Sequence, residues 1–215
     1  EFTGETKQVE LLFRTATLHR IKAVAEFGVV KIGDIGGWIE KEENLSHEGD
    51  AWVYGDAEVY GDAWVYGNAK VYGDAEVWGN AKVYGDAWVY GDAWVYGNAK
   101  VYGDAEVWGN AKVYGDAWVY GDAWVYGNAE VRGNAKVFSI SHVLVIGPIG
   151  SRNDFTTFFR DKDSEITVKC GCFLGKIDKF IEKVCETHGD SKYAIVYRAA
   201  VEIAKQQIDL SEEKQ

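Results

Sequence analysis

The stretch from Gly147 to Thr157, "GPIGSRNDFTT", holds the densest set of groups in the chain able to grip a small polar molecule. Ser151, Arg152, Asn153 and Asp154 place a hydroxyl, a guanidinium, an amide and a carboxylate in consecutive positions, and Thr156 and Thr157 add two hydroxyls. A guanidinium pairs bidentately with phosphate or carboxylate, while Asn and Asp read hydroxyls and amines. Gly147 and Gly150 bracket Pro148, the only Pro in the chain, in what reads as a shaped turn after the strand candidate "HVLVI". These six side chains are the predicted binding set for a small, polar, anionic ligand such as a nucleotide. The same residues also read as a plain polar turn with an Asx cap.

A second set comprises Cys170 and Cys172 of "CGC" with Cys185 and His188. Three thiolates and an imidazole could make a four-ligand zinc site. Cys185 and His188 equally continue an amphipathic helix, and the pairs lack zinc-finger spacing, so no metal ligand is assigned and no cofactor is expected. Three Cys is an odd number that argues against a disulfide framework and for a reducing cytoplasm.

These groups lie beyond a long repeat that must position them. From Gly49 to Phe138 the pattern Gly-[Asp/Asn]-Ala-x-Val-[aromatic] recurs in fifteen hexads, and residues 61–90 and 91–120 are identical. As a strand, Ala and Val point one way and x and the aromatic the other. Gly-Asp or Gly-Asn supplies the turn. Strand and corner alternating at a short fixed period describe a solenoid with a narrow Ala and Val interior. Three or four hexads per coil both satisfy this pattern. Three would place Trp beside Lys (Trp52 and Lys70, Trp64 and Lys82) but also Glu58 on Glu76 and Lys82 on Lys100, whereas four would place Glu58 beside Lys82.

The hexads resemble the hexapeptide-repeat left-handed β-helix proteins, through "VYGDAW" and "VYGNAK", with Gly two places after the aliphatic residue rather than one. The resemblance implies a triangular solenoid of three hexads per coil, about 24 Å long at about 4.8 Å per coil. It also implies a comparison with acyltransferases, which use a His base and loops that leave the coil. Here no hexad is interrupted, and no His occurs between 49 and 138. The repeat offers only Asp, Glu, Lys, Tyr and one Arg for proton transfer. The chain is therefore read as a non-enzyme with no catalytic residue, an acyltransferase-like site between subunits or at one end being the alternative.

The expected fold class is mainly β: a left-handed parallel β-helix with a strand-rich N-terminal cap (1–48), the repeat (49–138) and a small C-terminal α+β domain (139–215). In the cap, Leu45 falls in the Ala register and His47 in the Val register, so an imperfect coil is expected to begin there. In the C-terminal domain, "HVLVIG", "TTFFR" and "EITVKC" read as strands. Ile177, Phe180, Ile181, Val184 and Cys185, then Tyr193, Val196, Tyr197, Ala200, Val201 and Ala204, keep helical spacing. "GDIGGWIEKEENLS" before the repeat and "GPIGSRNDFTTFF", "VKCGCF" and "HGDSKYA" after it resemble hexapeptide-repeat proteins carried by phages and prophages of Gram-positive bacteria.

A net charge of −11 disfavours nucleic acid polymers and anionic membranes, and no apolar run of about 18 residues exists. Eight of the nine Trp lie in the repeat and face outward, which predicts stiffening by stacking and a homo-oligomer, dimer or trimer. The functional expectation is a phage-type binding or assembly protein in the host cytoplasm. Its rigid solenoid would display a domain that captures a nucleotide-like ligand, such as a host defence signal. A purely structural scaffold is the other alternative.

Overall fold

The computed structural model describes residues 1–211. Fifteen two-residue strands, β4 (Trp52–Val53) to β18 (Lys136–Val137), arise one per hexad. Each of the first twelve stacks in parallel on the strand 18 residues later, as Trp52 on Lys70 and Trp64 on Lys82, so three hexads make a coil. The result is a β-solenoid of about six turns with three parallel sheets as its faces.

Its interior is Ala and Val alone through the hexads, each no more than 3% exposed. Backbone amides bond the coil above, for example Trp64 N–H to the Ala81 carbonyl at 2.9 Å and Tyr66 N–H to Val83 at 3.0 Å. Gly takes the corner: Gly85 has φ +71°, and a Cβ there would stand 2.9 Å from the Gly103 nitrogen. The neighbouring Asp and Asn do not share the positive φ, and instead tie coils together, as Asn68 donates to Asp86 at 2.9 Å.

The outward aromatics form ladders. Tyr66, Tyr84, Tyr102 and Tyr120 stack nearly parallel at 4.6 to 4.9 Å, and Tyr72, Tyr90, Trp108 and Tyr126 follow suit. Ring covers ring, which is the stacking that the expected stiffening requires. Like-charge steps of the three-hexad coil are relieved sideways. Lys7 pairs with Glu58 at 2.7 Å and the Tyr60 hydroxyl donates to Glu76, whose carboxyl burial pushes up. Lys82 leans over Trp64, while Lys100 leans the other way over Trp118. Such contacts are individually worth under about 1 kcal/mol, enough to tolerate the stacking.

The cap consists of β1 (Phe2–Glu10), β2 (Thr15–Lys22) and β3 (Ile35–Ile39), an antiparallel meander that joins the first face through β3. Its hairpin covers Tyr60, which points outward yet is only 3% exposed. The coil does begin ahead of the hexads, but not in the expected register. Ile39 pairs with Val59 and Leu45 with Val65, offsets of 20 residues rather than 18. Leu45 thus takes the Val role, and exposed His47 falls in a two-residue insertion. The buried Asn44 amide bonds the Gly61 and Ala63 carbonyls, substituting for a missing rung.

At the other end, β19 (Val143–Ile149), β20 (Asp154–Arg160), β21 (Ile166–Cys170) and β22 (Phe173–Lys176) form an antiparallel sheet in chain order. The strand β22 escaped the sequence reading because it is short and Gly-interrupted. Helices α1 (Ile177–His188) and α2 (Lys192–Gln207) pack Phe180 and Tyr197 over Phe158 and Val168 of the sheet. Val196, expected on the buried face of α2, is 40% exposed, and Ala194 lies in the core instead. The opposite sheet face closes the solenoid: Phe159 joins the Ala and Val core, and the Lys169 ammonium reaches Glu130 at 2.8 Å. No helix among the described residues is long and apolar enough to cross a membrane.

Candidate functional site

The strand β19 ends at Ile149, and β20 begins at Asp154. The turn between them is formed by Gly150 at φ +73° and Asn153 at φ +52°, whose N–H donates to the Gly150 carbonyl at 3.4 Å. Gly150 is required twice over, because a Cβ there would collide with the Tyr197 hydroxyl. The turn thus rests on α2. Across from it, the tight turn at Gly171 joins β21 to β22, and a Cβ on Gly171 would stand 3.0 Å from Arg152 Nη1. Two glycines therefore let a guanidinium and a phenol converge.

They converge on a cleft of about 340 Å³. Ser151, Arg152 and Asp154 form one rim, Cys170, Cys172 and Phe173 the second, and Lys183, Thr187 and His188 of α1 the third. Phe180 and Tyr197 form the floor, and the His188 ring stacks on Tyr197 with centroids 5.8 Å apart. Arg152 is exposed and, among the described residues, makes no ion pair and no side-chain hydrogen bond. Lys183 of the same cleft is paired with Glu186 at 3.2 Å, so Arg152, beside Asp154, is the rim cation left to meet a ligand.

A short polar chain runs beneath. The Thr156 hydroxyl donates to Cys170 Sγ at 3.3 Å, and the thiol points to the Tyr197 oxygen at 3.8 Å. Burial, then the neighbouring Cys170, pushes Tyr197 up to about 12. The phenol keeps its proton at neutral pH, and with its oxygen facing the thiol, its O–H can donate to a ligand.

Of the six predicted binding residues, Ser151, Arg152 and Asp154 line the cleft. Asn153 shapes the turn. Thr156 and Thr157 are buried and otherwise engaged, because consecutive strand residues point to opposite faces. Thr156 serves the thiol, and Thr157 accepts from the Glu130 N–H at 3.0 Å, stitching the domain to the solenoid. Tyr197, Phe180, Lys183 and Thr187 were not in the predicted set. The helical spacing of Phe180, Val184 and His188 carries part of that signal, but spacing alone does not tell a cleft wall from a core face. Cys170, Cys172 and His188 do meet the cleft, whereas Cys185 lies exposed with the Arg198 guanidinium donating to it at 3.3 Å. No group of three or more metal-holding side chains occurs among the described residues.

A larger groove of about 680 Å³ runs between the first solenoid face and β20. Asp74, Glu76, Asp92, Glu130 and Asp154 line it against Lys112 and Lys169, and Lys169 is already paired with Glu130. An anion would meet net repulsion there, so the cleft and not the groove answers the chemistry of Arg152. No protein-family model matches the chain, and no curated protein matches it in sequence.

Proposed function

We propose that the chain is a non-enzymatic binding protein whose solenoid holds a C-terminal domain that captures a small anionic, nucleotide-like ligand. The observation that carries this reading is the Arg152 guanidinium, without an ion pair among the described residues, on a rim above an aromatic floor. A guanidinium takes a phosphate bidentately, and Phe173 and the His188–Tyr197 pair offer rings to a base or sugar. The volume falls at the lower end of small-ligand pockets, about 300–1,000 Å³. Tyr197, titrating far above neutrality, suits a fixed hydrogen-bond donor and not an acid–base catalyst. In the phage setting that the flanking motifs resemble, the ligand is a host defence signal sequestered in the bacterial cytoplasm.

Titration calorimetry with cyclic and ADP-ribose-type nucleotides tests the reading. Wild type is expected to bind at least one of them, and Arg152→Ala to lose about a hundredfold in affinity, as for removal of a charged hydrogen-bonding partner, with an unchanged melting temperature. Absence of binding by wild type across the panel refutes capture and leaves a structural scaffold.

A further inference from the structure

The identical blocks 61–90 and 91–120 span five hexads each, but a coil takes three. The duplication is therefore out of phase with the solenoid, and equal sequences land on different faces. As a result, the three outward ladders at the x position differ. The first reads Trp38, Glu58, Glu76, Trp94, Lys112, Glu130. The second reads Trp52, Lys70, Trp88, Glu106, Trp124. The third reads Trp64, Lys82, Lys100, Trp118, Lys136.

Only the second ladder is both complementary to itself and open from Lys70 to Trp124, Trp52 at its start being 5% exposed beneath the cap. The first is engaged at both ends, Glu58 by Lys7 of the cap hairpin and Glu130 by Lys169 of the C-terminal domain. The third, turned end over end on itself, sets Lys100 against Lys100. Reversed, the second exchanges Lys70 with Glu106 and Trp52 with Trp124 and returns Trp88 to its own place. Trp88 and Trp124 are each 41% exposed, an apolar surface without cover in the single chain.

We propose that this second face docks on a second copy of the chain, solenoid axes antiparallel, about a two-fold axis through Trp88. Trp88 then packs on Trp88 of the second copy, and Lys70 meets Glu106 on either side, one rung or about 4.8 Å from the axis. A parallel arrangement would set Lys70 on Lys70 and Glu106 on Glu106, so charge selects the antiparallel one. Trp124 and Tyr126 reach the cap segment of the other copy, where Phe27 packs edge-on against Trp52. Asp50, Asp86 and Asp104 line the same face beside Lys70 and Glu106, and their like charges oppose docking until salt screens them.

The face measures about 24 Å by about 18 Å, so two copies bury roughly 800 Å², half of a standard interface of about 1,600 Å². The dimer is accordingly weak and concentration-dependent. It shares no residue with the cleft and stands whether or not a ligand binds there.

Sedimentation velocity of the full chain, from about 1 to about 300 µM at about 0.15 M salt, reads the association directly. Wild type is expected to dimerise within that range. Lys70→Glu and Glu106→Lys are each expected to weaken the dimer at least about tenfold, by placing like charges face to face. The doubly exchanged chain, Lys70→Glu with Glu106→Lys, is expected to recover wild-type association to within about threefold. The rescue separates pairing from any loss of the Tyr90 hydroxyl's bond to Glu106 at 2.9 Å, which the double variant also lacks. A monomer at every concentration overturns the proposal. So does a dimer indifferent to both single exchanges, or a double exchange no better than the singles.

Discussion

Every buried polar or charged side chain among the described residues lies outside the hexads: Asn44 before them, and His142, Thr156, Thr157, Arg160, Asp161, Thr167 and Lys169 after them. The solenoid buries Ala and Val and satisfies its backbone rung by rung. The C-terminal domain buries a network in which each contact is made once. Asp161 accepts from Thr167 at 2.7 Å and from the amides of Asp163 and Glu165, and is paired with Lys176. The Arg160 guanidinium reaches the Lys136 carbonyl and Ser164. A repeated layer can be copied without consequence, as the duplicated block shows, because each copy meets the neighbours it needs. A unique network cannot be copied, because each of its polar groups has one partner at one position.

The contrast breaks first in the solenoid core. Val83→Asp would place a carboxylate in an interior with no polar partner and is expected to cost about 5 kcal/mol or more, abolishing the cooperative melt followed by circular dichroism. Lys82→Asp, one residue away but outward, should melt within about 1 kcal/mol of wild type. The opposite order would reverse the assigned facing. Tyr60, also outward in register, is unsuitable as the control because the cap hairpin buries it.

The next largest effect belongs to the junction with the C-terminal domain. His142 is 1% exposed, its Nδ1 accepts from the Phe138 N–H at 3.2 Å, and burial with nearby Arg160 lowers it to about 4. Between its unfolded value of about 6.5 and that folded value, the unfolded chain binds the extra proton. Stability from this group is therefore complete above about pH 6.5 and declines as pH falls toward 4, by at most about 3 kcal/mol. Denaturant melts at pH 7 and pH 4.5, with hydrogen exchange reporting each region, should show the loss at the C-terminal domain before the repeat. His142→Asn keeps an acceptor and should flatten the slope; an equal slope in the variant would place the sensitivity elsewhere.

The smallest effect sharpens the idea of redundancy. Tyr84 stacks between Tyr66 and Tyr102 at 4.6 and 4.8 Å. Tyr84→Leu removes two ring contacts but keeps apolar cover, and is expected to cost about 1 kcal/mol in a denaturant melt. A cost above about 3 kcal/mol would make the ladder a principal source of stability and not a stiffener.

The solenoid was legible to the residue in the sequence. Alternation along Ala-x-Val-aromatic assigns the inward pair, and Gly assigns the corner, because both rest on period-2 strand geometry and on positive φ. The registration slip at Leu45 was not legible, since an apolar residue two places early satisfies the pattern equally well until its partner strand is known. That Ser151, Arg152 and Asp154 gather polar groups in a turn was legible from residue types, whereas the cleft they line was not. The extension of the set to Thr156 and Thr157 failed because those residues enter β20, whose pleat sends one to the helices and the other to the solenoid. Tyr197 was visible only as a helix position, His188 as a helix position or a zinc ligand, and Lys183 carried no signal.

What the amino-acid sequence determined by itself is thus local: a six-residue period, its inward and outward sides, and the chemical types gathered near Arg152. What the tertiary structure decided is adjacency. The sequence left three or four hexads per coil open, since surface pairs worth under about 1 kcal/mol favour neither. Only the closed coil of 18 residues sets Lys70, Trp88 and Glu106 in one line, and only the packing of α1 and α2 brings Tyr197 and His188 beneath Arg152. Period and residue type follow from bonded geometry within a few residues, whereas neighbours across a coil or a cleft depend on how the whole chain closes on itself.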